Sequence, residues 1–150
     1  RKTKIDKEKP HPVQDETEDM LAGLAASEKT VRRWLSAISG EMLESDNARQ
    51  LIGYLRENLD IDLSNIPQGL QKIEQYVKIV QLKSESRYAN WEQKSLDEEM
   101  ARLVRQITIK HRENQKNQLL TQLRKAEAAG DEVLSQRLRQ NLNQLIKEKM

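Results

Sequence analysis

The sequence predicts an all-α protein: a compact helical bundle subdomain joined by a long helix to a C-terminal antiparallel helical hairpin. Three observations carry that expectation. Apolar residues recur at three- and four-residue spacing through most of the 150-residue chain, and nowhere do they alternate as in a half-buried strand. Serine or aspartate stands ahead of several of these runs, where a helix start needs a cap. Two polar-rich periodic segments near the C-terminus are broken once, at Ala128-Ala129-Gly130-Asp131. Gly130 can take the left-handed turn that ends a helix, Asp131 can cap the next, and so short a connection leaves the two helices antiparallel.

Residues 1–14 hold charge and two prolines with almost nothing apolar, and read as a linker or tail. The opening on Arg1 rather than Met predicts a piece of a longer protein. Asp15, with Glu18 three residues on, opens a first helix whose face is Met20, Leu21 and Leu24. Ser27 caps a second, with Val31, Trp34, Leu35 and Ile38 at helical spacing, and Ser39-Gly40 ends it. Ser45-Asp46 start a third, burying Ala48, Leu51, Ile52 and Leu55. Residues 60–69 connect, and Pro67 suits the first turn of a fourth helix carrying Leu70, Ile73, Val77 and Val80. Residues 84–94 read as irregular, anchored by Tyr88 and Trp91. Ser95-Leu96-Asp97-Glu98 is a capping-box pattern that opens a helix running toward Ala129. Trp34, Leu35, Leu51, Leu55, Ile73 and Val77 are expected together in one core.

The long helix has two apolar faces. Leu96, Met100, Leu103, Val104 and Ile107 share one; Leu119, Leu120, Leu123 and Ala126 share another, rotated by about 160°. Lys110–Gln118 between them has no apolar residue. The reading is a body over 15–94, a bridge over 95–117 with a solvated middle able to bend or fray, and a hairpin over 118–150.

Little chemistry is available. The chain has no Cys and two His, which excludes a zinc ribbon, a thiol nucleophile and a disulfide framework. It has no signal-peptide pattern and no apolar run of about 20 residues to span a bilayer. Absence of Cys fits a cytosolic protein. Neither His11 nor His111 has a ligand set near it, Asp97, Glu98 and Glu99 read as helix-start charges, and Asp60 and Asp62 read as a turn. No phosphate loop, nucleophile elbow or HExxH is present. The expectation is a non-catalytic chain with no metal and no cofactor. Arg102, Arg105, Lys110, Arg112 and Lys116 could form a phosphate-contacting stripe, but Glu98, Glu99 and Glu113 interrupt it and the net charge is only +2. A solvated helix face is the preferred reading, with Trp34 and Trp91 as core anchors rather than base-stacking platforms.

On the last helix, Leu134, Leu138, Leu142 and Leu145 point toward the hairpin's other helix. Ile146 lies at the edge of that stripe and Val133 well off it, so neither is needed to close the hairpin. Ile146, with Gln136, Arg137, Gln140, Gln144 and Lys147 around it, is the candidate contact patch, and Val133 joins the candidate set. Partner interfaces commonly combine a few apolar anchors with a polar rim.

The run from Asp15 to Asn58 resembles the first three helices of the C-terminal, helicase-binding domain of bacterial primases. Within it, Ile38-Ser-Gly-Glu-Met-Leu-Glu-Ser-Asp46 stands where that family has a Ser-Pro-Glu-hydrophobic-Phe turn, with Gly40 and Leu43 in place of Pro and Phe. Leu96–Lys149 resembles the family's bridging helix and hairpin, Gly-Asp turn included. The resemblance implies docking on the N-terminal domains of the hexameric replicative helicase, with the hairpin associated with attachment and the body with helicase stimulation. It also implies a parent primase whose zinc-binding and RNA-polymerising domains lie upstream. A helical adaptor of another complex, a fragment of the helicase N-terminal domain and a weak nucleic-acid-binding helical module are the alternatives the residues leave open.

Overall fold

A computed structural model describes residues 16–148, so the tail over 1–14, His11 and the cap at Asp15 lie outside the described residues. Among the described residues there is no strand. The α-helices are α1 (Thr17–Ser27), α2 (Asp46–Glu57), α3 (Glu74–Arg87), α4 (Gln93–Ala128) and α5 (Glu132–Glu148). Short 3-10 helices run over Lys29–Ala37, Gly40–Met42 and Gln68–Ile73. The chain divides into two compact units between Ile107 and Thr108, within the segment read as a bridge.

In the first unit α1 is buried nearly all round, from Leu21 to Ala26, and packs against both α2 and α3. Its small residues allow that. Gly23 faces the Val80 carbonyl and the Ser84 Cβ of α3, close enough that no side chain fits between. α2 starts as its sequence suggests, with the Ser45 hydroxyl accepting from the Ala48 N–H at 3.1 Å. Ala48, Leu51, Ile52 and Leu55 are all buried. The first part of α4 completes the core with Leu96, Met100, Leu103 and Ile107.

Several local expectations are overturned. Ser27 does not cap a second helix: it ends α1, its Oγ donating to the Gly23 carbonyl at 2.9 Å, and Glu28 is extended. The element that follows is 3-10, where positions three apart align. Arg32, Leu35 and Ile38 therefore form a buried row with Val31 buried beside it as expected, and Trp34 is only half-buried. Gln68–Ile73 is likewise 3-10, and the α-helix begins at Glu74 rather than near Pro67. Residues 84–94 are mostly regular, since α3 continues to Arg87 and α4 starts at Gln93. Ser95 is thus inside α4 and forms no capping box; the turn is made upstream, where Asn90 takes a left-handed φ of 67°. Trp91 is 42% exposed, although its ring meets Tyr88 edge-on at 4.8 Å.

The start of α4 is fastened to the Lys29–Ala37 element by polar contacts. Trp34 Nε1 donates to Asp97 Oδ1 at 3.0 Å, and Arg33 pairs with the same carboxylate at 3.0 Å. Thr30 Oγ1 bonds Gln93 Oε1 at 2.8 Å. Two residues on from Asp97, buried Glu99 accepts from the Tyr88 hydroxyl at 2.6 Å and from Arg102 at 2.7 and 2.8 Å. Neither Asp97 nor Glu99 is a bare helix-start charge.

Those bonds hold the Glu99 carboxyl below its ordinary range, chiefly through Arg102, and the Tyr88 phenol is pushed up, chiefly by burial. A depressed carboxylate stabilises the fold fully above its unfolded-state pKa, about 4.3, and loses that contribution as pH falls through the folded value. Melting temperature is therefore expected to fall more steeply below about pH 4.3 in the wild type than in Glu99→Gln. Parallel curves for the two proteins would refute this.

In the second unit, the C-terminal part of α4 pairs with α5. Gly130 has a φ of 74°, and its N–H and that of Asp131 donate back to the carbonyls of Glu127 and Ala126 at 3.1 and 2.9 Å. Asp131 Oδ1 accepts from the Leu134 N–H at 3.0 Å, the expected cap. The segment read as a solvated middle is not fully so: Lys110–Asn114 are half-buried. Lys110, Glu113 and Asn114 have polar or electrostatic interactions. Apolar periodicity does not register long polar side chains that are engaged in this way.

Candidate partner-binding surface of the C-terminal helices

Residues 115–122 of α4 and 141–148 of α5 line the two walls of one groove, and Glu127 pairs with Arg139 at 2.9 Å. Positions late in α4 thus meet positions early in α5, so the helices run in opposite directions. The seam between them buries Ala126, Ser135 and Leu138. The Ser135 hydroxyl makes no hydrogen bond there.

At about 100° per residue, Val133, Gln136, Arg137, Gln140, Gln144 and Lys147 fall within an arc of about 100° centred opposite the seam. All are exposed, Val133 by 75%. Ile146, 41% exposed, does not lie among them. It sits about 80° or more from each of the six, against Leu142 and Asn143 on the other flank. The expected single patch is therefore two surfaces. A mostly polar outer face has Val133 as its apolar contact, and a separate edge carries Ile146. Ile146 does lie at the edge of the leucine stripe, but Gln144 and Lys147, close to it in sequence, fall on another side of the helix.

Leu134, Leu142 and Leu145 were all expected against α4. Leu142 and Leu145 are half-buried and Leu134 is 40% exposed, so the stripe is wider than one facing helix covers. The groove along one flank encloses about 330 Å³, with Leu119 and Leu145 in its walls among Gln115, Gln118, Gln122, Asn141 and Gln144. Glu148 lies at one end of it. Sequence reasoning passed over this carboxamide set. The signal was present as a run of Gln and Asn at spacings of three and four on both helices.

Among the described residues no three His, Asp or Glu side chains gather where they could hold a metal ion, and His111 is a half-buried helix residue. Asp62 accepts from the Ser64 N–H at 2.9 Å, which makes that acidic segment a turn. None of the described helices is long and apolar enough to cross a membrane. No family model, curated protein or solved structure matches this chain.

Proposed function

We propose that the chain is the non-catalytic, helicase-binding domain of a bacterial DNA primase, acting in the cytoplasm at the replication fork. Its C-terminal hairpin attaches to the N-terminal domains of the hexameric replicative helicase, so that RNA primers are made where the duplex opens. Primer synthesis itself belongs to upstream domains of the parent enzyme, and this portion needs no cofactor and contacts nucleic acid weakly or not at all. The reading rests on the sequence resemblance. The observation that supports it best is the division of labour within the fold: the first unit has a closed core, whereas α5 exposes a continuous face around Val133, Gln136 and Gln140.

The test is capture of the replicative helicase on the immobilised chain. Deleting residues 131–150 is expected to abolish capture while the first unit keeps its helicity and cooperative melting. Val133→Asp and Ile146→Asp then separate the outer face from the opposite edge. Undiminished affinity after the deletion would refute attachment through the hairpin. Failure of the intact chain to capture any replicative helicase would refute the reading as a whole.

A further inference from the structure

The hairpin is half closed. Ala126, Ser135 and Leu138 are buried, but Leu119, Leu123, Leu142 and Leu145 keep part of their surface in water. Two helices cannot cover both flanks of their own seam, which is why stable helical folds add a third or fourth. The flank carrying the groove has a particular chemistry. Its two leucines are framed by five carboxamides in a chain of which 33% is charged. Depletion of charge around apolar residues is the compositional mark of an interface core.

We propose that this flank pairs with the same flank of a second copy of the chain, two hairpins completing a four-helix bundle. A carboxamide carries both donors and acceptors, so two identical surfaces of this kind can satisfy each other across a two-fold axis. Apart from Glu148 at one end, a charged partner surface would find no opposite charge in these walls, which weakens the usual basis for recognising one. The single charged group also selects the orientation. Glu148 lies beside Gln115 at one end of the groove, and Gln122 and Asn141 lie at the other. Parallel pairing would bring the two Glu148 carboxylates together. Antiparallel pairing sets each Glu148 against the amide N–H groups of Gln122 and Asn141 in the second copy, and is the arrangement favoured. Gln144 lies on the border of the two surfaces, but the rest of the outer face around Val133 and Gln140 remains uncovered, so this pairing is tested separately from helicase attachment.

The chain contains no cysteine, so an introduced thiol reports unambiguously. Sedimentation equilibrium on the whole chain is expected to show a monomer–dimer equilibrium between about 1 and 300 μM, the range of a modest interface. The double substitution Gln118→Glu, Asn141→Glu, at exposed groove positions outside the outer face, should leave helicity unchanged and the protein monomeric throughout. Ile146→Asp, on the other flank, should still dimerise. Under oxidation, Gln115→Cys mixed with Gln122→Cys should cross-link, while Gln115→Cys alone should not. A wild-type chain that is monomeric at the highest concentration overturns the proposal. So does a double variant that still dimerises. Loss of helicase capture by the double variant, with a monomeric wild type, would assign the groove to helicase instead and likewise overturn self-pairing.

Discussion

Replacing Arg32 by Met is expected to cost about 4 kcal/mol or more, a large share of the roughly 5–15 kcal/mol that holds such a domain together. Arg32 is 1% exposed, and its guanidinium donates to four backbone carbonyls: Ala25 at 2.7 Å, Ala26 at 3.2 Å, Leu59 at 3.0 Å and Ile61 at 2.7 Å. The first two belong to the last turn of α1, where carbonyls have no partner within the helix. The Glu28 N–H takes only the carbonyl of Leu24. The other two belong to the connection after α2. One side chain thus ends a helix and ties down a loop, and a cation at a helix C-terminus is also favoured by the helix dipole.

Burial opposes this arrangement. It lowers the Arg32 pKa, with Asp60 and Asp62 acting in the other direction. Methionine would remove that desolvation penalty, which for some buried ions leaves the exchange neutral. Here the balance is decided by the acceptors, because methionine leaves several carbonyls without a donor, at about 1–3 kcal/mol for each that stays dry. Arg32→Lys should recover only part of the loss, since one ammonium cannot span carbonyls on both elements as a planar fork does. Urea titration measures both. A methionine variant within about 1 kcal/mol of wild type would show that the carbonyls find water and that Arg32 is not a clamp.

Arg32 also shows where the sequence stops being legible. The α-helical wheel puts Val31, Trp34, Leu35 and Ile38 on one face and turns Arg32 outward. The segment is 3-10, so the rows shift to a period of three, and arginine replaces tryptophan in the core. Nothing in the run Lys29–Ala37 marks that change of period. It follows from how Glu28 leaves α1 in an extended conformation. By contrast, the turn at Gly130-Asp131 and the start of α2 at Ser45 were readable, because each is fixed by a backbone need that one residue meets locally. The candidate surface divides the same way. The existence of α5 and the exposure of Val133 and Ile146 follow from local pattern. The separation of those two residues also follows from the helical angle, whereas the half-covered leucines along the groove depend on how α4 lies against α5.

Gly23→Ala and Gly53→Ala are expected to move stability in opposite directions, although both put the same methyl group into a helix. At Gly53, within α2, an added Cβ meets nothing within 4 Å, so alanine should stabilise by about 0.5–1 kcal/mol through reduced chain entropy and better helix propensity. At Gly23 the Cβ would land on the Val80 carbonyl oxygen, with the Val80 carbonyl carbon at 3.1 Å and the Ser84 Cβ at 3.3 Å. The obstacle is helix backbone, which cannot rotate aside as a side-chain end could. α1 and α3 would have to separate along a contact that includes Leu21, Leu24, Val77 and Val80, all buried. Overpacking of this kind typically costs about 1–3 kcal/mol and sometimes more, and at a backbone–backbone crossing the upper end applies, against a propensity gain of about 1 kcal/mol. A net loss of about 2 kcal/mol is therefore expected for Gly23→Ala, and Gly23→Val should leave no cooperative thermal transition. Calorimetry of the three variants decides the matter. If Gly23→Ala melts at or above the wild-type temperature, α1 and α3 are not in backbone contact at this position and the packing of the first unit must be drawn differently.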